Sequence, residues 1–545
     1  MKLEKIKIGN KKVMPFTIPS GIITTQVKCL EKIAQEIPEL GILTTKSIGP
    51  NVRAGNREPI LAQYIPGGFV NAVGLTNPGA EEFAQQLSTI NFPEDKFLLA
   101  SIFGSNSAEF VYVAENLEER VDGFELNLSC PHCDKVGMAL GQDPEMVRKI
   151  TKEVVKVTKK PVFAKLTPNT EKIEGGIGII ARAAIEAGAY GISAINTVGP
   201  IPYEVDGFLV LTNKVGGKSG RGIRDVGIQR VKEIIETVGN IPMIIMGGIS
   251  NARDVEKYRN VVGYDNVVFG IGTSLVGMKD AEIIKYFPTL INDLKNGTNY
   301  VIELLKKVDM NYKKVNLERK IDCACDLKLL VTNISIEAEP GQFVFAWIPG
   351  VGEKPFSIMD NNPLTLGVLE RGEFTKKFNS LEEGDYFYIR GPYGKGVSVP
   401  KKSNMVLVGG GCGIAGLYLL AKKFSKDSSI LTLLAAKDKE HILYSKEFEK
   451  CGRVEIATEN GSLGKKGLVS DLMRNLDLKK GSYFLNCGPR QMISAVLPLE
   501  LEISSPERIF FSIDYMTRCG VGICGSCADE NGRRTCVEGP FMMYK

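Results

Sequence analysis

Four cysteines near the end of the chain have a spacing that suits redox chemistry. Cys519, Cys524, Cys527 and Cys536 lie in RCGVGICGSCADENGRRTC, a C-x4-C-x2-C run followed by one further cysteine. This is a ligand pattern of a [2Fe–2S] cluster, and the glycines between the cysteines would let the backbone approach the sulfurs. Four thiolates could also form a zinc site, but zinc sites usually pair two short cysteine knuckles, so this single asymmetric loop favours iron–sulfur chemistry.

A glycine-rich turn suggests a second kind of chemistry, nucleotide binding. Gly411, Gly413 and Gly416 form a G-x-G-x-x-G motif between an apolar run and a helical segment. In that context the start of the helix can receive a pyrophosphate. The alternative is a glycine turn in an ordinary strand–helix unit.

Polar and glycine residues follow apolar runs throughout the first half of the chain. The runs are GIITT, ILTTKSIG, FVNAVG, FLLASIFG, GFELNLS, PVFAKLTP, YGISAINT, IPMIIMGGI and NVVFGIG. Their alternation with helical segments predicts a parallel TIM (β/α)8 barrel, whose active site lies at the C-terminal ends of the strands. Glycines after the late strands, together with Lys165, suggest a bound FMN phosphate. A structural salt bridge is the alternative role for Lys165.

Composition limits the classes of protein that the chain can belong to. It has 545 residues, 43% of them hydrophobic and 24% charged, which is typical of a globular protein with several domains. The net charge of +5 is dispersed, which argues against nucleic-acid binding. No apolar run is long enough to span a membrane and MKLEKIKIGNKK has no signal core, so we expect a cytoplasmic protein without membrane contact.

The pattern of apolar, glycine and proline residues changes after Met310, which predicts an α/β barrel followed by an electron-transfer module. Short strands punctuated by glycine and proline (GQFVFAW, KPFSIMD, YFYIRGPYG) predict a small antiparallel β-barrel, and NMVLVGGGCGIAGLYLLAKKF opens an α/β nucleotide-binding domain. The predicted domains are residues 1–305 (barrel), 310–401 (antiparallel β-barrel), 402–505 (α/β domain) and 506–545 (cluster domain).

Motifs in the first half resemble the dihydroorotate dehydrogenases, over roughly residues 3–300. The motifs are TTKSIGPNVRAGNREP, NAVGLTNPG and NLSCP. The resemblance implies that an FMN-bearing barrel oxidises dihydroorotate to orotate, and Cys130 in NLSCP points to class 1, since class 2 uses serine there. Oxidation removes a proton from C5 and a hydride from C6. Cys130 is the candidate base, and a thiol suits that role if its thiolate is stabilised or water is excluded.

The same resemblance assigns residues at the strand ends to two ligands. Asparagines offer the paired donors and acceptors that a cyclic imide needs, and Lys46 can serve flavin, substrate carboxylate or both. The residues expected to contact substrate are Lys46, Asn71, Gly74, Leu75, Asn127, Asn196 and Thr197. The residues expected to contact FMN are Gly21, Thr45, Lys46, Asn127, Lys165, Gly220, Gly247, Gly248, Gly272 and Thr273.

Motifs in the second half resemble the ferredoxin-reductase superfamily. KPFSI, GEFT, GPYG and NCGPRQM occur in this order, and together with the C-terminal cysteines they look most like the electron-transfer subunit of class 1B dihydroorotate dehydrogenase, over roughly residues 310–545. The likeness implies FAD at Lys354, Pro355, Phe356, Ser357, Gly372, Phe374 and Thr375, and a nicotinamide nucleotide at Gly410, Gly411, Gly413, Cys487 and Gly488. It also implies a homodimer of a fused chain.

One departure from the family pattern and one missing motif bear on these cofactors. Lys354 stands where the family usually has arginine, and lysine grips a diphosphate as a point charge rather than a planar fork. No arginine pair follows the strand LTLLAAKDKE to receive a 2′-phosphate, which favours NAD over NADP.

Other functions stay open at this point. SCPH, GMALGQDPE and FAKLTPN are similar to dihydropyrimidine dehydrogenase, which reduces uracil, although AGNREP and NAVGLTNPG are of the dihydroorotate type. His132 and Cys133 next to the candidate base allow a C-x2-C redox pair or a metal site. A third possibility is an NADH-dependent reductase for partner proteins whose barrel only senses a pyrimidine.

Overall fold

The computed structural model describes residues 4–128 and 138–544. The chain forms two compact units. The first consists of Met1–Asp309 with Gly522–Arg533, and the second of Met310–Val521 with Arg534–Lys545. A late segment of the chain therefore belongs to the first unit, and the predicted division into four domains stays a prediction. Within the described ranges no helix is long and apolar enough to cross a membrane.

A closed barrel of eight parallel strands forms the first unit, as the alternating pattern predicted. The strands are β1 Phe16–Ile18, β2 Ile42–Thr44, β3 Phe97–Ile102, β4 Gly123–Asn127, β5 Val162–Lys165, β6 Gly191–Ala194, β7 Met243–Met246 and β8 Val267–Gly270. One helix follows each strand: α1 Val27–Glu36, α2 Ala80–Leu87, α3 Ser107–Leu117, α4 Pro144–Val157, α5 Gly176–Glu186, α6 Arg224–Val238, α7 Ala252–Val262 and α8 Asp280–Asn296.

The strands lie in chain order around the barrel, and β8 pairs with β1 to close it, with Phe269 opposite Phe16. All eight strands are buried along their whole length, because the helices cover the outside and apolar side chains fill the inside. Polar caps start several helices. The side chain of Asp143 accepts from the amides of Glu145 and Met146 at the start of α4, where Pro144 occupies the first turn.

Shorter elements decorate the first unit. They are the hairpins Ile6–Ile8 with Lys11–Val13 and Glu204–Val205 with Phe208–Leu209, an antiparallel sheet in the order Val198–Pro202, Val215–Gly220, Gly68–Asn71, Leu61–Ile65, a helical turn Met138–Gly141, and 3-10 turns at Glu118–Arg120, Arg221–Ile223, Thr273–Leu275 and Tyr300–Leu304.

Two predicted barrel strands are wrong. The run GIITT is a loop, and the first barrel strand is Phe16–Ile18 just before it. Ile23 has a φ of 66°, which is incompatible with a strand, and its amide donates to the carbonyl of Ile523. The run FVNAVG forms Gly68–Asn71, which pairs in the antiparallel sheet and not in the barrel.

The second unit contains two sheets of seven strands. The antiparallel one has the order Gly352–Ser357, Phe343–Ile348, Tyr386–Tyr393, Lys313–Ala324, Leu327–Thr332, Leu364–Leu369, Asp360–Asn361. The other has the order Lys465–Lys466, Arg453–Thr458, Ser429–Ala436, Asn404–Gly410, Tyr483–Cys487, Ile509–Ser512, Met542–Met543, and is parallel except for its last strand. The helices are Glu373–Asn379, Tyr418–Phe424, Ser445–Glu449, Val469–Met473, Arg490–Ile503 and Thr535–Glu538, with 3-10 turns at Gly411–Gly416, Lys439–His441 and Pro506–Arg508.

Candidate functional site

Lys165 and Asn127 lie side by side at the C-terminal end of the barrel. They are the last residues of β5 and β4 and face each other in register. Lys165 Nζ lies 3.2 Å from Glu125 Oε1, and both side chains are buried. The structure therefore gives Lys165 the salt-bridge partner that was the alternative to FMN contact. Sequence reasoning missed Glu125, although it stands two residues before Asn127 and so points to the same side of β4.

Only the nitrogen of the Asn127 side-chain amide has a hydrogen-bond partner among the described residues. Its Nδ2 donates to Ser47 Oγ at 2.9 Å, and that hydroxyl also lies within hydrogen-bond distance of Ser20 and Ser101. Asn127 Oδ1 is buried and has no hydrogen-bond partner among the described residues. A buried acceptor left unpaired costs about 1–3 kcal/mol. A ligand donor at this position would remove that cost.

Lys46 is a second buried cation at this end of the barrel. It is 8% exposed and lies two residues after the end of β2. Its Nζ lies beside Gly21, where a Cβ would come within 3.1 Å of it. The neighbouring Thr45 hydroxyl donates to the Lys46 carbonyl and accepts from the amide of Ser101. Thr45 thus orders the turn that carries Lys46.

Asn71 and Thr197 meet at Gly217. Asn71 Nδ2 donates to the Gly217 carbonyl at 3.2 Å, and a Cβ on Gly217 would lie 2.1 Å from Thr197 Oγ1. The side chain of Asn196 accepts from the amide of Thr197 at 2.8 Å. Gly74 and Leu75, also predicted to contact substrate, both have positive φ, 82° and 54°.

Three of the glycines predicted to contact FMN lie together. Gly247 and Gly248 have φ of 133° and 72°, and a Cβ on Gly248 would be 2.8 Å from the carbonyl of Gly220. Tyr258 supports this turn by donating to the Gly247 carbonyl at 2.7 Å. Gly272 follows β8 and precedes the 3-10 turn that begins at Thr273.

The candidate base Cys130, with His132 and Cys133, lies outside the described residues. The described part of the chain before Cys130 ends at residue 128, just after β4.

The second unit contains a cleft of about 1000 Å³. Of the residues predicted to bind FAD or nucleotide, the cleft is lined by Pro355, Phe356, Ser357, Gly410, Gly411, Gly413, Cys487 and Gly488. Lys354, Gly372, Phe374 and Thr375 are not among its lining residues. The Phe374 ring packs on Phe378 in the core, and the Thr375 hydroxyl accepts from the amide of Gly372.

The glycines of the G-x-G-x-x-G turn have different structural roles. A Cβ on Gly413 would lie 2.2 Å from the Cys487 carbonyl, and a Cβ on Gly410 would lie 2.4 Å from Met492 Sδ. These two glycines allow neighbouring turns to pack. Gly411 has a φ of 55° and open space where its Cβ would be, so it is the glycine with room toward the cleft.

The four C-terminal cysteines are all buried and are divided between the two units. Cys524 and Cys527 belong to the first unit, and Cys519 and Cys536 to the second. Within residues 4–128 and 138–544, no three or more His, Cys, Asp or Glu side chains form a metal-ion site. The residue types themselves suit iron–sulfur ligation, because all four thiols are buried and the glycines Gly520, Gly522 and Gly525 beside the first three cysteines have positive φ.

The segment around Cys524 is packed on the loop between β1 and α1. The Ile23 amide donates to the Ile523 carbonyl at 2.7 Å, and Thr25 Oγ1 donates to the Cys524 carbonyl. A Cβ on Gly525 would lie only 1.9 Å from the Ile23 carbonyl oxygen. The cysteine segment thus lies backbone to backbone against the barrel loop that also contains Gly21.

Glu500 is a buried carboxyl in the second unit, behind the NCGPRQM turn. Asn486 Nδ2 donates to Glu500 Oε2 at 3.0 Å, and Glu500 is fully buried. Burial raises the pKa of Glu500 to about 8, although the hydrogen bond from Asn486 acts in the opposite direction. Glu500 is therefore largely protonated near neutral pH.

The barrel, with amide and lysine side chains at its strand ends and glycine turns beside them, defines an α/β-barrel protein whose site lies at the C-terminal ends of the strands. The chain belongs to the dihydroorotate dehydrogenase family, whose sequence pattern matches residues 3–283.

The curated relatives include both a catalytic and an electron transfer subunit. The catalytic subunit of dihydroorotate dehydrogenase B (NAD(+)) from Pyrococcus horikoshii is 37% identical over 308 residues, which covers 56% of this chain and 92% of the relative. The corresponding subunit from Methanocaldococcus jannaschii is 38% identical over 263 residues, covering 47% and 83%. A probable electron transfer subunit of dihydroorotate dehydrogenase B (NAD(+)) from M. jannaschii is 38% identical over 219 residues, covering 40% and 83%.

A solved structure of an NADH-dependent reduced ferredoxin-NADP oxidoreductase is also similar. It is 29% identical, covers 42% of this chain and 87% of its own, and has a TM-score of 0.39.

Gly525→Ala should loosen the cysteine segment from the barrel loop. The new methyl group would collide with the Ile23 carbonyl and occupy a φ of 73° that favours glycine. We expect hydrogen exchange at the Ile23 amide, measured by mass spectrometry on the full chain, to become at least about tenfold faster, because a loss of about 1.4 kcal/mol gives that factor. Gly239→Ala is the matched control, since Gly239 has a φ of 74° and nothing within 4 Å of its Cβ position. Equal exchange in both variants would show that the contact is unimportant.

Glu500→Gln should change how stability depends on pH. Between the ordinary value of 4.5 and about 8, the unfolded chain has lost the proton while the folded chain keeps it, so stability falls as pH rises. Above pH 8 this contribution no longer changes. The glutamine variant should lack the decline, about 1.4 kcal/mol per pH unit at most, and should be the more stable protein at alkaline pH.

Calorimetric melting across this pH range tests the Glu500 prediction. Glu502→Gln on the exposed face of the same helix is the control and should behave like the wild type. The same decline with pH in Glu500→Gln and wild type would contradict the assignment.

Proposed function

We propose that this chain oxidises dihydroorotate to orotate at the barrel and delivers the electrons to NAD+ through its second unit. The observation that carries the proposal is that one chain matches both the catalytic and the electron-transfer subunit of dihydroorotate dehydrogenase B (NAD(+)). The proposed protein is thus a fused class 1B enzyme. By the same resemblance it is a cytoplasmic homodimer.

Side chains at the barrel strand ends and in the adjoining antiparallel sheet would supply what the substrate requires. The unpaired Asn127 Oδ1 is an acceptor for an imide N–H, and Asn71 and Thr197 flank Gly217 on the neighbouring elements. Lys46, buried beside Gly21, is a cation for the substrate carboxylate or the flavin. We assign Cys130 as the base that removes the C5 proton, and it lies outside the described residues.

The cofactors follow from the residues that would hold them. Lys165, Gly220, Gly247, Gly248, Gly272 and Thr273 would hold FMN, the cleft of the second unit would hold FAD and NAD, and the four cysteines would hold a [2Fe–2S] cluster. When bound, the flavins would exchange hydride with substrate and nucleotide and the cluster would carry single electrons. The chain's own part is to place these groups and exclude water around the buried Glu125–Lys165 pair.

The substrate is tested by steady-state turnover of the pure full chain. NADH formation from NAD+ should occur with dihydroorotate and be far slower with dihydrouracil or dihydrothymine. Turnover with dihydrouracil alone would overturn the assignment in favour of a dihydropyrimidine dehydrogenase. NADH oxidation with artificial acceptors, combined with pyrimidine binding but no pyrimidine turnover, would instead indicate a reductase with a sensing barrel.

Replacing Cys130 by alanine should reduce dihydroorotate oxidation by about 10²–10⁴-fold, which is the usual contribution of a general base. NADH-driven reduction of artificial acceptors should stay within about twofold of the wild type, because it uses only the second unit. Cys133→Ala is the matched control and should keep the dihydroorotate activity. If Cys133→Ala were equally inactive, a C-x2-C pair would replace Cys130 alone as the reactive element.

A further inference from the structure

A buried ion pair in the second unit is unused by the functions assigned so far. Arg390 Nε and Nη2 donate to the two carboxylate oxygens of Glu353 at 2.7 and 2.6 Å, and the side chains are 1% and 0% exposed. Tyr312 adds a third donor to the Glu353 carboxylate at 2.7 Å. Burial alone would lower the pKa of Arg390, but the facing carboxylate raises it well above its usual range, so the cation persists.

The remaining nitrogen of Arg390 points to the cysteine loop. Nη1 donates to the carbonyl of Cys519 at 3.0 Å. The guanidinium lies 4.0 Å from the centroid of the Phe345 ring, and Gly520 rests on that same ring, since a Cβ there would be 2.6 Å from it. The peptide between Cys519 and Gly520 therefore contacts both the arginine and the aromatic ring.

This contact determines which way the peptide faces. In a trans peptide the carbonyl and the following N–H point in opposite directions. Because the Cys519 carbonyl points to Arg390, the Gly520 N–H points away from it. Backbone N–H groups near the sulfurs are among the factors that set the potential of an iron–sulfur cluster.

Stability alone does not explain why this ion pair is buried. Desolvating two charges costs about as much as their attraction returns, so a buried ion pair adds little stability over an apolar pair of similar size. Glu353 directly precedes Lys354 and Pro355 in strand Gly352–Ser357, the strand predicted to hold FAD. The pair thus connects the strand of the predicted flavin site to the first cysteine of the loop.

We propose that Arg390, held by Glu353 and Tyr312, is the positioning residue that orients Cys519 and its following peptide as a ligand of the iron–sulfur cluster. The inference depends on the proposed cluster. It assigns Arg390 to cluster retention and reduction potential and not to the reaction with substrate.

Three variants of the purified full chain test this role. Arg390→Lys keeps the positive charge but cannot bond both oxygens of Glu353 and the Cys519 carbonyl at once. Arg390→Met with Glu353→Met removes both charges without leaving one unpaired, which guards against simple unfolding. Arg453→Met is the control, because Arg453 pairs only on the surface with Glu455 and is 65% exposed.

The readouts are iron per chain, the rate of iron loss to a chelator, the reduction potential of the cluster by EPR-monitored titration, and FAD content. We expect both Arg390 variants to lose iron about tenfold faster than the wild type, the usual effect of removing an outer partner of a metal ligand. The reduction potential of their cluster should be lower, since the Gly520 N–H, a donor that would favour the reduced cluster, is no longer held in place. FAD content and melting temperature of Arg390→Lys should match Arg453→Met.

Each result that differs from this expectation leads to a different conclusion. Wild-type iron retention and potential in both Arg390 variants would overturn the positioning role and leave the cluster in place. Parallel loss of iron and FAD in both would also overturn it, because the pair would then serve the fold in general. A wild-type chain that binds no iron under anaerobic reconstitution would instead refute the proposed cluster itself.

Discussion

Pairing of the last barrel strand with the first is the constraint on which the candidate active site depends. Phe269 and Gly270 of β8 lie opposite Phe16 and Thr17 of β1, and this closure brings all eight C-terminal strand ends into one ring. The ends of β1 and β8, which are far apart in the chain, become neighbours only because of this closure. Lys165 meets Glu125, 40 positions earlier, because β4 and β5 run parallel in adjacent places of the closed sheet. The same parallel arrangement makes every strand end accessible to one ligand.

The sequence predicted the architecture well because its signals are local. Apolar runs alternating with helical segments are sufficient to indicate a parallel barrel, and short runs between glycine and proline are sufficient to indicate antiparallel strands. The two errors were a run whose bonding partner is distant in the chain, GIITT, and a run that pairs both with the preceding strand Leu61–Ile65 and with the distant strand Val215–Gly220, FVNAVG. The loop at residues 21–25 is apolar because it receives a segment nearly the whole chain away, as the bond from Thr25 to Cys524 shows. A short apolar run does not reveal which backbone will bond to it.

Residue types at the site were predicted better than their roles. Glycine was read as a sign of close ligand approach, and Gly411 fits that reading, but Gly410 and Gly413 are required because other turns pack against them. Asn77, within the motif NAVGLTNPG, shows the same for an asparagine: its Oδ1 accepts from the amides of Gly49 and Gly79 and orders a turn. A single sequence shows that a position has a small side chain or carries an amide. It does not show whether the group that contacts this position belongs to the protein or to a ligand.

Buried charge is where the structure adds most to the sequence. Among the described residues, each unit holds one ion pair in which both side chains are almost fully buried, Glu125 with Lys165 and Glu353 with Arg390. Each pair has strand residues predicted to hold a flavin next to it in the chain, Asn127 near the first and Lys354 next to the second. A buried ion pair of this kind adds little to stability. It does hold its two side chains in fixed positions, since removing either partner leaves a charge without compensation. Oxidoreductase sites need such rigidity because electron and hydride transfer depend steeply on distance and on fixed local charge. Neither partner could be assigned from sequence, since the pairing depends on which strands become neighbours. It is therefore the strand order, more than any single motif, that turns ordinary Glu, Lys and Arg residues into fixed charges beside the proposed cofactors.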